Sequence, residues 1–185
     1  MTATLPPAYR GAETRAGRGV VAGVASADLP DEAVLFLIGM RVNRARRPDR
    51  WVPIAAAMAR MLRELATGAD SPLLGARSWL SGRDIMTVQH WRSADELGRF
   101  ATDPEHVHAR AWRDFNRTVA ATADVGIWHE TYVVGPDQVE TLYGNMPAFG
   151  LGAAHGLVPV GARRRTAATR RVHDAAGGHE VGRRG

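Results

Sequence analysis

"LLGARSWLSGRDIMTVQHWRSADELGRFA", residues 73–101, decides the fold of this chain. Two runs rich in strand formers, 73–80 and 85–92, flank "SGRD", a short connection that contains a glycine. That arrangement reads as a β-hairpin. Ser93 then stands three residues ahead of Glu96, the spacing of a capping box, so a helix starts where the second strand ends.

The neighbouring segments complete the pattern. "AVLFLIGMRV", 33–42, is apolar on both faces until Arg41, as a central strand should be. In "WVPIAAAMARMLRELAT", 51–67, Ile54, Met58, Met61, Leu62 and Leu65 recur at helical spacing, and Gly68 is a stop signal. Pro104 opens a second helical stretch, expected over 104–123. "VGIWHETYVV", 125–134, reads as the last strand. The order strand, helix, strand, strand, helix, strand is the split βαβ pattern. It predicts an α+β, ferredoxin-like βαββαβ fold: a four-stranded antiparallel sheet with helices on one face.

Composition bounds the rest. Residues 1–30 are rich in Ala, Gly and Pro without periodicity and read as a disordered N-terminal segment. The core is expected over 31–135, an extension over 136–160, and a disordered Arg-rich tail over 161–185. All 24 basic residues are arginine, and the net charge is +5. The tail holds seven Arg against two acids, whereas 31–160 holds fourteen against fifteen. The folded part is therefore near neutral, and nucleic acid is not an expected partner beyond weak contact by the tail. There is no cysteine, which excludes disulfides, thiolate ligands and a cysteine nucleophile. No apolar run approaches the length of about 18 residues that spans a bilayer, and the N-terminus lacks a secretory apolar region, so a cytoplasmic location is expected. Phosphate-binding Gly loops, G-x-S-x-G and H-E-x-x-H are absent.

A sheet with helices on one face leaves the other face wet. Here that face carries Leu35, Leu37 and, depending on register, Trp91 or Trp128. Such a surface calls for cover, and a two-fold partner laid sheet to sheet supplies it. The expectation is a homodimer enclosing a cavity for a small-molecule substrate. The apolar extension 139–154, with Tyr143, Asn145, Met146 and Phe149, is expected to cover the cavity mouth or embrace the partner without regular structure of its own.

"VLFLIGMRVNR", "HWRSADELGRFATDPEH", "AWRDFNR", "VGIWHETY" and "YGNMP" together resemble an uncharacterised bacterial monooxygenase-like family of the dimeric α/β-barrel superfamily. The resemblance spans about residues 34–150. The superfamily includes cofactor-free antibiotic-biosynthesis monooxygenases, heme-degrading monooxygenases, aldoxime dehydratases and plain binding proteins. It therefore implies an oxygenase-like enzyme, with a heme protein and a non-catalytic binding protein as alternatives. The stretch from Trp91 to His108 resembles the "W-x-S-x-(D/E)-x-φ" entry into the second helix of the antibiotic-biosynthesis and heme-degrading branches. In the heme branch a histidine late in that helix is the axial ligand. His106 and His108 lie near that place, and Arg110 stands about where the ligand would.

The candidate chemistry follows from face and spacing. On a helix His106 and His108 point about 200° apart and cannot share a metal. His108 shares a face with Trp112, Phe115 and Val119, and His106 shares its side with Arg110, Arg113 and Arg117. His108 is either a hydrogen-bonded core-edge histidine or a residue facing the cavity, and His106 reads as an exposed first-turn residue; the heme alternative takes His108 or His106 as axial ligand. On the last strand Trp128, Glu130 and Tyr132 share one face; Ile127, His129 and Thr131 share the other. Placing the aliphatic side against the helices turns Trp128, Glu130 and Tyr132 toward the dimer cavity, with Arg41 as the expected partner of Glu130. The reversed register would put His129 inside instead. On the hairpin, Met86 and Val88 are assigned to the helices, so Gln89 and Trp91 are expected to face the cavity. The expected catalytic set is Arg41 with Glu130 or His129 as base; Gln89, Trp91, Trp128 and Tyr132 are the expected substrate contacts. An Arg–Glu pair that is purely structural, and aromatic residues that merely pack an interface, are the competing readings.

Overall fold

The computed structural model describes residues 19–29, 32–68, 70–102 and 122–160. The chain forms two units, 34–132 and the combination of 1–33 with 133–185. The helix expected over 104–123, with His106 and His108, lies outside the described residues apart from its last two positions, and so do the tail 161–185 and residues 1–18.

The first unit is ferredoxin-like. Its elements run β2 (Ala33–Val42), α1 (Pro48–Thr67), β3 (Leu73–Ser81), β4 (Asp84–Trp91), α2 (Ala94–Thr102) and β5 (Val125–Val134). The sheet order is β3-β4-β2-β5. Helix α1 starts at Pro48, three residues before the apolar period does, because a proline at the first position costs no hydrogen bond there. In the hairpin Gly82 takes φ 59°, the left-handed conformation that a two-residue connection between Ser81 and Asp84 requires. Glu96 N–H donates to Ser93 Oγ at 3.2 Å, as a cap should, whereas the Glu96 carboxylate turns to Arg92 Nη1 at 2.9 Å.

Strands β2 and β4 pair antiparallel from Val34↔Trp91 to Arg41↔Asp84. Directly opposed residues share a face, so this register sorts the whole sheet. Val34, with Phe36 beside it, packs with Trp91, Met61, Leu65 and Leu97; Met40 and Val42 pack with Ile85, Val125 and Ile127. The even positions of β2 therefore face the helices. Leu35, Leu37, Gly39 and Arg41 face the other way, opposite His90, Val88, Met86 and Asp84.

The second unit corrects the reading of residues 1–30 as disordered throughout. Val20–Ala27 forms β1, antiparallel to β6 (Tyr143–Pro147) on one side and β7 (Leu157–Pro159) on the other. Val21, Ala25 and Leu157 are its buried core, with Tyr143 and Ala148 against them. The strand escaped notice because its register shifts between Val21 and Val24, which breaks the two-residue alternation. Gly23 sits in that bulge at φ 91°, and its N–H donates to Asn145 Oδ1 at 2.9 Å. The extension is likewise more regular than expected, holding β6, the short helix α3 (Leu151–His155) and β7. Gly152 N–H donates to Tyr143 Oη at 2.9 Å, and no Cβ would fit at Gly152 beside Leu157 and Tyr143.

One close approach in the ferredoxin-like unit is testable. A Cβ placed on Gly39 would stand 2.5 Å from Trp128 Nε1. Gly39→Ala should push Trp128 off the strand and lower stability by about 1–3 kcal/mol in urea unfolding. Unchanged stability and an unshifted tryptophan emission would show that the indole does not rest there.

Candidate functional site

The register divides the seven expected core site residues between two sides of one sheet. Gln89 and Trp91 are on the helix side, each 1% exposed, which corrects their expected place in a dimer cavity. The sequence reading gave the helix face to Met86 and Val88 because they are aliphatic. Trp91 is the larger apolar surface and takes the core position instead, among Val34, Met61, Leu65 and Leu97. Its indole N–H then needs an acceptor, and Gln89 Oε1, two residues away on the same face, provides it at 2.9 Å.

His129 belongs to this side too. Its ring lies 5.5 Å from that of Phe36, the residue directly opposite Gln89. Gln89, Phe36 and His129 thus form a row across β4, β2 and β5. Gln89 is the buried end and His129, on the edge strand, the exposed end. Thr87, also 1% exposed, shares a hydrogen bond of 2.7 Å with Ser78 on β3. Phe36 and Thr87 were not anticipated as site residues. Their signal was present in the alternation of β2 and β4, but only the pairing register shows that they are neighbours.

Arg41, Trp128, Glu130 and Tyr132 occupy the opposite face. The expected Arg41–Glu130 pair does not form. Arg41 Nη1 donates to both carboxylate oxygens of Asp84, at 3.0 and 2.7 Å, its directly opposed residue. On its other flank lies Gly126, whose Cβ position is 4.0 Å from that of Arg41. Glu130 is four residues further along β5, about 13 Å at strand spacing, and out of reach. Glu130 instead accepts from Tyr132 Oη at 2.6 Å. Trp128 rests over Gly39, and Trp128, Tyr132 and Trp79 of β3 remain substantially exposed.

Among the described residues no cluster of His, Asp and Glu could hold a metal ion. An open cavity of about 470 Å³ lies between the end of α1, the connection into β3, and α2, lined by residues such as Leu65, Ser71, Arg99 and Phe100. It touches none of the expected site residues. No helix among the described residues is long and apolar enough to cross a membrane.

The Tyr132–Glu130 bond has a measurable consequence. Accepting the phenol proton, with its negative charge close by, Glu130 holds Tyr132 above the usual tyrosine range. Glu130→Gln should bring the Tyr132 titration back toward about 10 in an NMR titration of ring-labelled tyrosine. An unmoved midpoint would mean that the bond is not made in solution.

An aldoxime dehydratase in complex with butyraldoxime is similar over 82% of this chain and 42% of its own, at 18% identity and a TM-score of 0.56. A second aldoxime dehydratase is similar over 93% of this chain and 46% of its own, at 16% identity and a TM-score of 0.55. The chain spans less than half the length of these dehydratases, and at such identities the likeness is one of fold. SnoaB, a cofactor-independent oxygenase from Streptomyces nogalater, is similar over 56% of this chain and 92% of its own, at 19% identity and a TM-score of 0.39. No curated protein matches. The monooxygenase af470-like family matches residues 33–151, well over half of the 185 residues, and the chain belongs to that family.

Proposed function

We propose that the protein is a small-molecule enzyme of the oxygenase type, with its substrate on the helix side of the sheet. The observation that carries this reading is the row of Gln89, Phe36 and His129 beside the buried Trp91. It places an exposed proton acceptor, an aromatic wall and a buried polar group along one line. Arg41 and Glu130, by contrast, are engaged with Asp84 and Tyr132 on the exposed face, and we assign them to packing rather than to the reaction.

In the cofactor-free form the substrate supplies the electrons. His129 takes a proton from a methylene group made acidic by its neighbours, and the resulting carbanion is oxidised by O₂. One oxygen atom becomes the new carbonyl oxygen, and the other leaves as water with both methylene hydrogens. The four electrons that reduce O₂ come from the carbon that changes from CH₂ to C=O. Phe36 offers the substrate an aromatic face, with Gln89 and Trp91 buried behind it. The family membership and the fold likeness to the dehydratases support an enzymatic role. The heme alternative depends on His108 or His106, both outside the described residues; a Soret band after reconstitution with heme would revive it.

We further propose that the opposite face is the homodimer contact. Trp79, Trp128 and Tyr132 are exposed there beside the half-buried Leu35, Leu37, Met86 and Val88. The extension 136–160 is proposed to take part in the same assembly. A charge in this apolar patch should separate the copies, so Trp79→Glu is expected to halve the mass found by light scattering. Equal masses for the two proteins would remove this interface.

The reaction is tested with an oxygen electrode and a panel of aromatic ketones that carry an acidic benzylic methylene. His129→Gln should cut oxygen uptake by roughly 10²–10⁴-fold, the usual worth of a positioned base. No uptake by the native protein across the panel, or equal uptake by the variant, would refute the assignment.

A further inference from the structure

We infer that the loop between β2 and α1, together with the tip of the β3–β4 hairpin, is a docking surface for a membrane rich in anionic lipid. The inference concerns one end of the sheet and does not depend on where a substrate lies.

"RVNRARRPDR", residues 41–50, carries five arginines and one acid. Strand pairing brings a sixth arginine to it. Val42 N–H donates to Arg83 O at 2.8 Å, and Arg83 Nη1 donates to Asn43 O at 3.3 Å, so the hairpin tip lies against the loop. On the other flank the backbone N–H groups of Asn43 and Arg44 both donate to Asp124 O, at 2.9 and 3.1 Å, and Asn43 Nδ2 donates to Ala123 O at 2.9 Å. The loop is thus held from both sides, and its arginines project from a fixed backbone. Three carboxylates answer them: Asp84 pairs with Arg41, Asp124 with Arg44, and Asp49 with both Arg47 and Arg50. Arg46 and Arg83 have no acidic partner among the described residues. Six arginines against three acids leave a local positive excess on a folded part that is near neutral in total. The N-terminus of α1, a helix of 20 residues, adds partial positive charge at the same place.

The residues among these charges select the partner. Ala45, Pro48, Val52 and Pro53 are all exposed, Val52 to 45%. Val52 stands one helical turn past Pro48 and Asp49 and so borders the arginines. A basic surface with apolar side chains between its charges suits a lipid interface. There guanidinium groups fork onto headgroup phosphates, and the apolar groups enter the acyl boundary. Nucleic acid asks for something else, aromatic rings free to stack or amides aimed at base edges. Here Trp51 is packed on Met40, Val42 and Val125, with its indole N–H donated to Ala45 O at 3.2 Å, and the Asn43 amide is engaged with Ala123. The surface therefore offers charge and apolar area but no means of reading bases.

The test sediments the full chain with vesicles of phosphatidylcholine alone, and with vesicles of equal parts phosphatidylcholine and phosphatidylglycerol. Binding is expected to the second kind only, and high salt should abolish it. The Arg-rich tail is present throughout, so two variants with the same change of net charge separate this surface from the tail. Arg46→Glu/Arg83→Glu should lower vesicle partitioning by about tenfold or more, whereas Arg60→Glu/Arg63→Glu, at exposed positions further along α1, should lower it by less than about threefold. Arg46 makes no hydrogen bond or ion pair among the described residues, so Arg46→Glu alone leaves the loop intact and should still weaken binding severalfold. Val52→Gln should weaken binding to the vesicles and leave any binding of duplex DNA unchanged. Equal losses in the two double variants, full binding by Arg46→Glu, no binding to the anionic vesicles or equal binding to both kinds would overturn the inference. So would duplex DNA bound more tightly than the anionic vesicles with the same dependence on Arg46 and Arg83, which would make nucleic acid the partner.

Discussion

The pairing of β2 with β4, from Arg41–Asp84 to Val34–Trp91, is the constraint on which the rest of the ferredoxin-like unit depends. Side chains alternate along a strand, so a register shifted by one residue would exchange the two faces throughout. The observed register puts the Trp91 indole among Val34, Met61, Leu65 and Leu97. Burying so large an apolar group is a stronger demand than burying Met86 or Val88, and the aliphatic pair yields the inner face to it. The bidentate contact of Arg41 with Asp84 closes the far end of the same ladder.

From this sorting the sheet acquires two unlike sides. On the helix side Trp91 donates to Gln89 and Thr87 shares a hydrogen bond with Ser78, the buried Gln89 and Thr87 standing at one end and the exposed His129 at the other. On the other side Arg41 is paired with Asp84 and Glu130 with Tyr132, all four accessible, amid half-buried aliphatic and exposed aromatic residues. A reaction that moves protons profits from groups held in a dry environment, where each interaction is stronger and the geometry is fixed in advance. An association surface profits from apolar area bordered by polar groups. The proposed reaction and the proposed dimer contact take one side each.

The second unit shows how small residues can build a sheet without announcing it. Ala25 and Ala27 are buried, yet β1 has no large side chain beyond its valines, and its bulge at Gly23 interrupts the alternation. Its stability rests on fit: Gly152 leaves room for Leu157 and Tyr143, and Asn145 accepts the N–H that the bulge exposes. The family match extends over β6 and reaches Leu151, the first residue of α3. β6 therefore belongs to the family pattern along with the ferredoxin-like core.

By itself the sequence determined the kinds and order of elements in the core. The apolar run at 33–42, the helical spacing of Met58, Met61 and Leu65, the glycine turn at Gly82 and the cap at Ser93 are all local signals. Local signals are legible because their physics involves only residues a few positions apart. It also showed that Trp128, Glu130 and Tyr132 share a face, since alternation along one strand requires nothing else. Only the tertiary structure decided which face of β4 turns to the helices, that Arg41 meets Asp84 rather than Glu130, and that residues 20–27 are a strand. Each of these depends on pairing between segments distant in the chain, and hydrophobic pattern alone does not rank one register above its neighbour when both faces of a strand carry apolar groups.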